Sequence, residues 1–233
     1  MDAVVLAGGL GTRLRSVIHD LPKPMAPVAG RPFLEILLTT LAAKGVDHVV
    51  LSVGYRAQDI IDHFRHAFGG ITISYAIESE PLGTGGALKL ALKQCRQDPV
   101  LVLNGDTFLD FDLPGLLALW SASEAPIVVV GRHVDDTGRF GRLGLVGDRI
   151  TEFAEKGRSG PGLINAGAYL VSRDLLDRFE ESARFSLESD FFVPEVRQRE
   201  IRVMPCDAMF IDIGVPEDYA LAQVQLARFA AKP

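Results

Sequence analysis

Four short apolar runs alternate with three segments of helical period over residues 3–103, and that rhythm constrains the fold more than any other feature of the chain. Ala3–Leu6, His48–Val53, Thr72–Ile77 and Val100–Leu103 read as strands. Pro32–Lys44, Ala57–Phe68 and Thr84–Gln94 carry apolar residues at three- and four-residue spacing, as amphipathic helices do. A βαβαβαβ order predicts parallel strands, because a helical crossover returns the chain to the sheet in the same direction. The expected fold is α/β, with a Rossmann-like, mostly parallel sheet flanked by helices. Ligands of such sheets bind beyond the carboxyl ends of the strands. That puts weight on Gly8–Arg13, Glu78–Gly86 and Asn104–Thr107.

The second half changes character. Ile127–Arg132, Leu143–Val146, Ile150–Phe153 and Ala168–Val171 are short strands broken by glycine and polar residues, which predicts an inserted antiparallel lobe. Leu175–Phe179 and Leu187–Val196 read as helices, Ile201–Met204 and Met209–Ile213 as strands, and Pro216–Ala231 as a closing helix with proline in its first turn. With no linker or low-complexity tract, 1–233 reads as one domain of two lobes. One spans about 1–125 and 200–233, the inserted one about 126–199.

The first strand runs into Leu6-Ala7-Gly8-Gly9-Leu10-Gly11-Thr12-Arg13-Leu14, followed by Pro22-Lys23-Pro24. Glycines at a strand end let the backbone approach a ligand and turn its N–H groups toward an anion. Arg13 and Lys23 add cations for phosphate oxygens. The pattern is neither of the two common phosphate loops. Leu14 occupies the place of the last small residue of a dinucleotide fingerprint, and the Gly-Lys-Ser/Thr of a P-loop is absent. The net charge of −6 argues against a nucleic-acid-binding surface, so polyphosphate must be held locally by a few placed cations and a metal. Asp106, after the fourth strand, and Asp212, at the end of a late one, are together candidates to hold Mg²⁺, although an aspartate taken alone in such a place is more often a turn or cap residue.

The glycine loop with Thr12, Arg13 and the Pro-Lys-Pro resembles the signature of the sugar-1-phosphate nucleotidyltransferases. Further motifs follow in the family's order from Ala3 to Tyr219. They include Asn104-Gly105-Asp106-Thr107-Phe108, Leu163-Ile164-Asn165-Ala166-Gly167 and Phe210-Ile211-Asp212-Ile213-Gly214. The resemblance is closest to the branch that joins GTP to a heptose 1-phosphate. Mannose-1-phosphate enzymes, which usually carry a further β-helix, and uridylyltransferases are its neighbours.

The resemblance implies a nucleotide site at Leu6, Gly8, Gly9, Gly11, Thr12, Arg13, Glu78, Gly83, Thr84 and Asn104. It implies Mg²⁺ on Asp106 and Asp212, and a sugar-phosphate site at Gly141, Glu155, Lys156 and Asn165 in the inserted lobe. Arg13, Lys23 and Asp106 would carry the chemistry. Apart from the resemblance, Glu155-Lys156 reads as a solvated pair, Asn165 and Gly141 as turn residues, and Thr84 as a helix cap. Glu78 would meet the base edge. A carboxylate accepts two bonds at once from the adjacent N1–H and N2–H₂ of guanine, whereas uracil and thymine offer one N–H between carbonyls.

No Cys/His pair or nucleophile-elbow serine stands out, so the expected reaction is direct displacement without a covalent intermediate. A metal-dependent glycosyltransferase would use a D-x-D motif, which Asp110-Phe111-Asp112 fits in letters. It would leave Arg13 and Lys23 without a triphosphate to grip. A non-catalytic nucleotide-sugar sensor would be expected to lose some of these charges. Cys95 and Cys206 have no ligand spacing and read as free thiols, the chain starts directly on a strand, and no long apolar segment occurs. The expectation is a cytoplasmic protein with no membrane or nucleic-acid partner. Its apolar closing helix allows a homodimer. His48, His63 and His66 read as solvated, and Trp120, beside Leu116, Leu117 and Leu119, as core.

Overall fold

The computed structural model describes residues 1–9, 11, 14, 18, 21–154, 157 and 159–230. Strand β1 (Asp2–Leu6) is followed by a small hairpin, β2 (Pro27–Val28) and β3 (Arg31–Pro32), and by α1 (Phe33–Ala43). Then come β4 (His48–Val53), α2 (Ala57–Phe64), β5 (Ala67–Phe68), β6 (Ile71–Ile77), α3 (Gly83–Leu92) and β7 (Val100–Asn104). The second half holds β8 (Thr107–Leu109), α4 (Leu113–Ala122), β9 (Ile127–Val134), β10 (Leu143–Val146), β11 (Arg149–Phe153) and β12 (Gly162–Val171). A wide-turned helix over Leu187–Phe192 leads into α5 (Val193–Glu195). The chain continues through β13 (Ile201–Cys206), β14 (Phe210–Asp212), α6 (Pro216–Gln225) and α7 (Ala227–Ala230).

Strands β7, β1, β4 and β6 are parallel neighbours, as the alternating pattern predicts. The later strands extend the same sheet. The order is β10-β11-β13-β9-β12-β7-β1-β4-β6-β5, and β12 runs antiparallel to both β7 and β9. Alternate side chains of each strand enter opposite layers. Ala3, Val5, Val49, Leu51, Leu101 and Leu103 pack under α1, α2 and α4, while Val4, Val50, Val100 and Val102 pack under α3 and the 187–192 helix. Each such Val or Leu contributes about 1.5–3 kcal/mol by leaving water, and β7, β1 and β4 are buried on both faces. A third cluster, including Phe33, Phe108, Ile211 and Ile213, seats α6 and α7.

Several local expectations change in the folded chain. Helix α2 stops at Phe64 because Arg65 takes a left-handed conformation (φ 51°), and Ala67–Phe68 turns back as a strand against β6. Leu175–Phe179 is not a helix. It is a run of turns closed by Leu175, Asp177 and Phe179 N–H groups donating three residues back, too short to propagate. Asn165 lies within β12, where the pairing with β9 is irregular between Asn165 and Tyr169, rather than in a loop before a short strand. Trp120 is half-buried against the sheet. His48 is not solvated. Its Nδ1 lies 3.0 Å from buried Asp2 and its Nε2 3.0 Å from Ser74 Oγ. His63 bridges to Glu35 at 2.7 Å, while His66 is exposed. Cys95 and Cys206 are free.

Candidate active site

The carboxyl ends of β1, β4, β6 and β7 open into one cleft of about 530 Å³. Leu6, Gly8, Gly9, Lys23, Glu78, Gly83, Thr84, Asn104 and Asp106 all line it, so residues scattered over a hundred positions meet as the parallel sheet requires. Gly11, with φ +58°, packs on the stem of Lys23, whose Cβ would lie 3.0 Å from an added Cβ. Arg13, Thr12, Glu155 and Lys156 fall outside the described residues.

Asp106 owes its place to Gly105. The Gly105 N–H donates to Leu6 O at 2.9 Å, and a side chain there would strike the same oxygen at 2.7 Å. The chain therefore crosses the end of β1 and delivers Asp106 into the cleft. Lys23 sits in a 3₁₀ turn flanked by Pro22 and Pro24, its side chain only 10% exposed. Its ammonium lies 2.5 Å from Asp106 Oδ2 and 3.8 Å from Asp212 Oδ1.

Asp212 reaches this point by a route that differs from the expected one. Its strand is not part of the main sheet. β14 pairs antiparallel with β8 in a separate two-stranded ribbon, with Asp212 opposite Thr107, and Ile213 N–H donates to Asp106 O at 3.0 Å. Asp106 turns directly into β8, so β14 needs only to pair with β8 to bring the second carboxylate alongside. Burial, then the neighbouring Asp106 charge, push the Asp212 carboxyl above its usual range against the pull of Lys23 and the Gly214 N–H. Two carboxylates face one ammonium, leaving excess negative charge on oxygen donors. That is a donor set suited to a hard divalent cation.

Glu78 closes the opposite side. Its Oε2 accepts the Leu82 N–H at 2.9 Å, bending the 78–82 loop onto itself, and burial pushes its carboxyl upward. Gly8 makes room for it, since a Cβ there would lie 2.5 Å from Glu78 Oε1. Thr84 is not a helix cap. The residue before α3 is Leu82, with no side-chain cap bond, and the Thr84 hydroxyl instead donates to Glu188 Oε2 at 2.9 Å.

Gly141 and Asn165 do not line the cleft lobe formed by these residues. Gly141 (φ +79°) closes a turn onto Thr137 O. Asn165 donates from Nδ2 to the Tyr169 hydroxyl at 2.8 Å and accepts the Gly167 N–H at 3.0 Å. Asp110-Phe111-Asp112 is structural. Asp110 pairs with Lys44 at 3.0 Å, Phe111 is buried, and Asp112 precedes α4. Sequence reading missed Glu188, whose only local signal is its place in the first turn of a helix capped by Ser186.

The geometry of the cleft does not by itself name a family, and the match along the chain does. The chain belongs to the nucleotidyl transferase family, whose model matches residues 2–228. Among its relatives is the D-glycero-alpha-D-manno-heptose 1-phosphate guanylyltransferase of Campylobacter jejuni, 43% identical over 220 residues, which cover 94% of this chain and 97% of the relative. The Aneurinibacillus thermoaerophilus protein of the same name is 39% identical over 229 residues, covering 98% of this chain and all of that one. In structure the chain is similar to HddC from Yersinia pseudotuberculosis complexed with GMP-PN. The TM-score is 0.84 at 39% identity, with 95% of this chain and 97% of that one covered. Among the described residues no helix is long and apolar enough to cross a membrane.

Proposed function

We propose that the protein condenses GTP with D-glycero-α-D-manno-heptose 1-phosphate, giving the GDP-sugar and pyrophosphate. The single observation that carries this reading is the convergence of Lys23, Asp106, Asp212 and Glu78 around one cleft. The guanylyltransferase names of the 39–43% identical relatives support the choice of substrates. An oxygen of the sugar phosphate attacks the α-phosphorus of GTP, a new P–O bond forms, and the bond to the β-phosphate oxygen breaks. The nucleophile is already ionised at neutral pH, so the protein's task is to align two polyanions and neutralise charge. Lys23 faces the charge that develops near the α-phosphate, Arg13 grips the departing phosphates, and Glu155 and Lys156 take sugar hydroxyls and the incoming phosphate. Asp106 and Asp212 would hold Mg²⁺, which when bound supplies positive charge to the phosphate oxygens. The reaction draws on GTP and belongs to the cytoplasm. Two copies would pair through Leu221 and Val224, which α6 leaves 53% and 78% exposed.

Pyrophosphate release from the four NTPs, each with mannose-, glucose-, N-acetylhexosamine- and heptose 1-phosphates, tests the assignment. GTP with the heptose phosphate should turn over fastest. A better result for UTP with every acceptor would overturn the base reading, and a preference for mannose 1-phosphate would correct the sugar.

Glu78→Gln tests the base contact directly. Glutamine offers one acceptor and one donor where guanine presents two adjacent donors, so KM for GTP should rise at least about tenfold and the margin over UTP should shrink. In the unaltered enzyme, burial raises the Glu78 pKa, and the carboxylate accepts guanine's N–H groups only when ionised. KM for GTP should therefore climb as pH falls through a value above the ordinary glutamate range, and the variant should lack that acid limb.

A further inference from the structure

The Gly83-Thr84-Gly85-Gly86 turn is shaped by close contacts within the protein. Cβ atoms at Gly83 and Gly86 would each come within 2.5 Å of a backbone oxygen, that of Phe185 and of Ala183, and one at Gly85 would strike the Phe185 ring. Gly85 N–H donates to Phe185 O and Phe185 N–H to Leu82 O, both at 3.0 Å. The glycines therefore admit the 183–188 segment, and Gly83, which the resemblance assigns to the nucleotide site, is among them.

One side chain pins this contact. The Thr84 hydroxyl accepts the Leu187 N–H at 2.8 Å and gives its only proton to Glu188 Oε2 at 2.9 Å. Ser186 Oγ donates to the same carboxylate oxygen at 3.1 Å, and itself accepts the N–H groups of Glu188 and Ser189 at 3.2 Å each. With its proton given to Glu188, the Thr84 hydroxyl has none left to donate to a nucleotide. The loop from Glu78 to Gly86 is thus held at one end by Glu78 accepting the Leu82 N–H, and at the other by Glu188.

We infer that Glu188 is a positioning residue for nucleotide selection, holding through Thr84 the loop that aims Glu78 into the cleft. The inference rests on Glu78 being the base-reading residue. Glu188→Ala removes the hook, Glu188→Asp shortens it by one methylene, and Glu188→Gln keeps an oxygen that accepts from Thr84. Steady-state kinetics with GTP and UTP, alongside melting curves, read the effect in the full chain. Alanine and aspartate should raise KM for GTP about tenfold and reduce the GTP-over-UTP margin, with kcat within about threefold. Glutamine should restore both to within about twofold.

Should the alanine variant fail to fold, the aspartate–glutamine contrast decides the matter. Unchanged KM and selectivity in the aspartate variant, or a loss of kcat alone, would overturn the proposal. Failure of the base reading looks different. In that case Glu78→Gln leaves the GTP preference intact, while Glu188→Asp raises KM for all nucleotides alike. Such a result retains the positioning role and discards the guanine contact.

Discussion

Lys23→Ala is expected to slow pyrophosphate release about a hundred- to a thousandfold, the usual effect (~3–4 kcal/mol) of removing one donor aimed at transition-state charge. The size follows from position. The ammonium is nearly buried, 2.5 Å from Asp106 and 3.8 Å from Asp212, at the floor of the cleft. Among the described residues no other lysine lines that cleft. Its loss also strips two carboxylates of a shared counter-ion, so a fall in melting temperature should accompany the loss of rate. The sheet core that carries β1, β4 and β7 is untouched, and far-UV circular dichroism should show the fold intact. Saturating substrate should not rescue the rate, because the missing interaction belongs to the transition state rather than to binding. Near-normal pyrophosphate release would refute the role given to Lys23.

Asp212→Asn should separate activity from stability in opposite directions. Turnover should drop by at least about a hundredfold, since a neutral amide gives up the charge proposed to hold the metal. The melting temperature of the metal-free protein should rise. Burial and Asp106 hold the Asp212 pKa above its value in the unfolded chain, so the folded state takes up this proton more readily than the unfolded one. The ionised form therefore opposes folding at neutral pH, and that opposition fades as pH falls through the raised pKa. Asparagine lacks the charge and still offers Oδ1 to the Gly214 N–H. A chain of this size gains roughly 2–4 °C per kcal/mol recovered. The difference between the two proteins should narrow in acid, where aspartate is itself neutral. Calorimetry in chelator at several pH values measures it, and a less stable variant at neutral pH would refute this electrostatic account. A variant that is more stable and less active would agree with the general conflict between active-site charge and stability.

The four parallel strands and the clustering of their carboxyl ends were legible because strand and helix periods are local properties of the chain. Glycines before Arg13, the two prolines around Lys23 and the Asn-Gly-Asp turn marked a candidate phosphate site for the same reason. Their chemistry is carried by neighbours one to three residues apart. Asp212 was legible as a candidate and its route was not. Pairing of β14 with β8 instead of the main sheet is a choice between long-range partners, and no periodicity records it. The same holds for Glu188, a hundred residues from the threonine it grips, and for Asn165, whose amide turns to Tyr169 within an irregular strand.

By itself, then, the order of residues determined the class of sheet and which of its side chains were candidates to meet at one cleft. Backbone geometry translates period and glycine placement directly into strands, helices and turns. Only the tertiary structure decided that one ammonium would stand between two carboxylates, and that three glycines would serve a neighbouring segment. Those outcomes depend on which buried surfaces meet and how closely, which is a property of the packed molecule rather than of any stretch of chain.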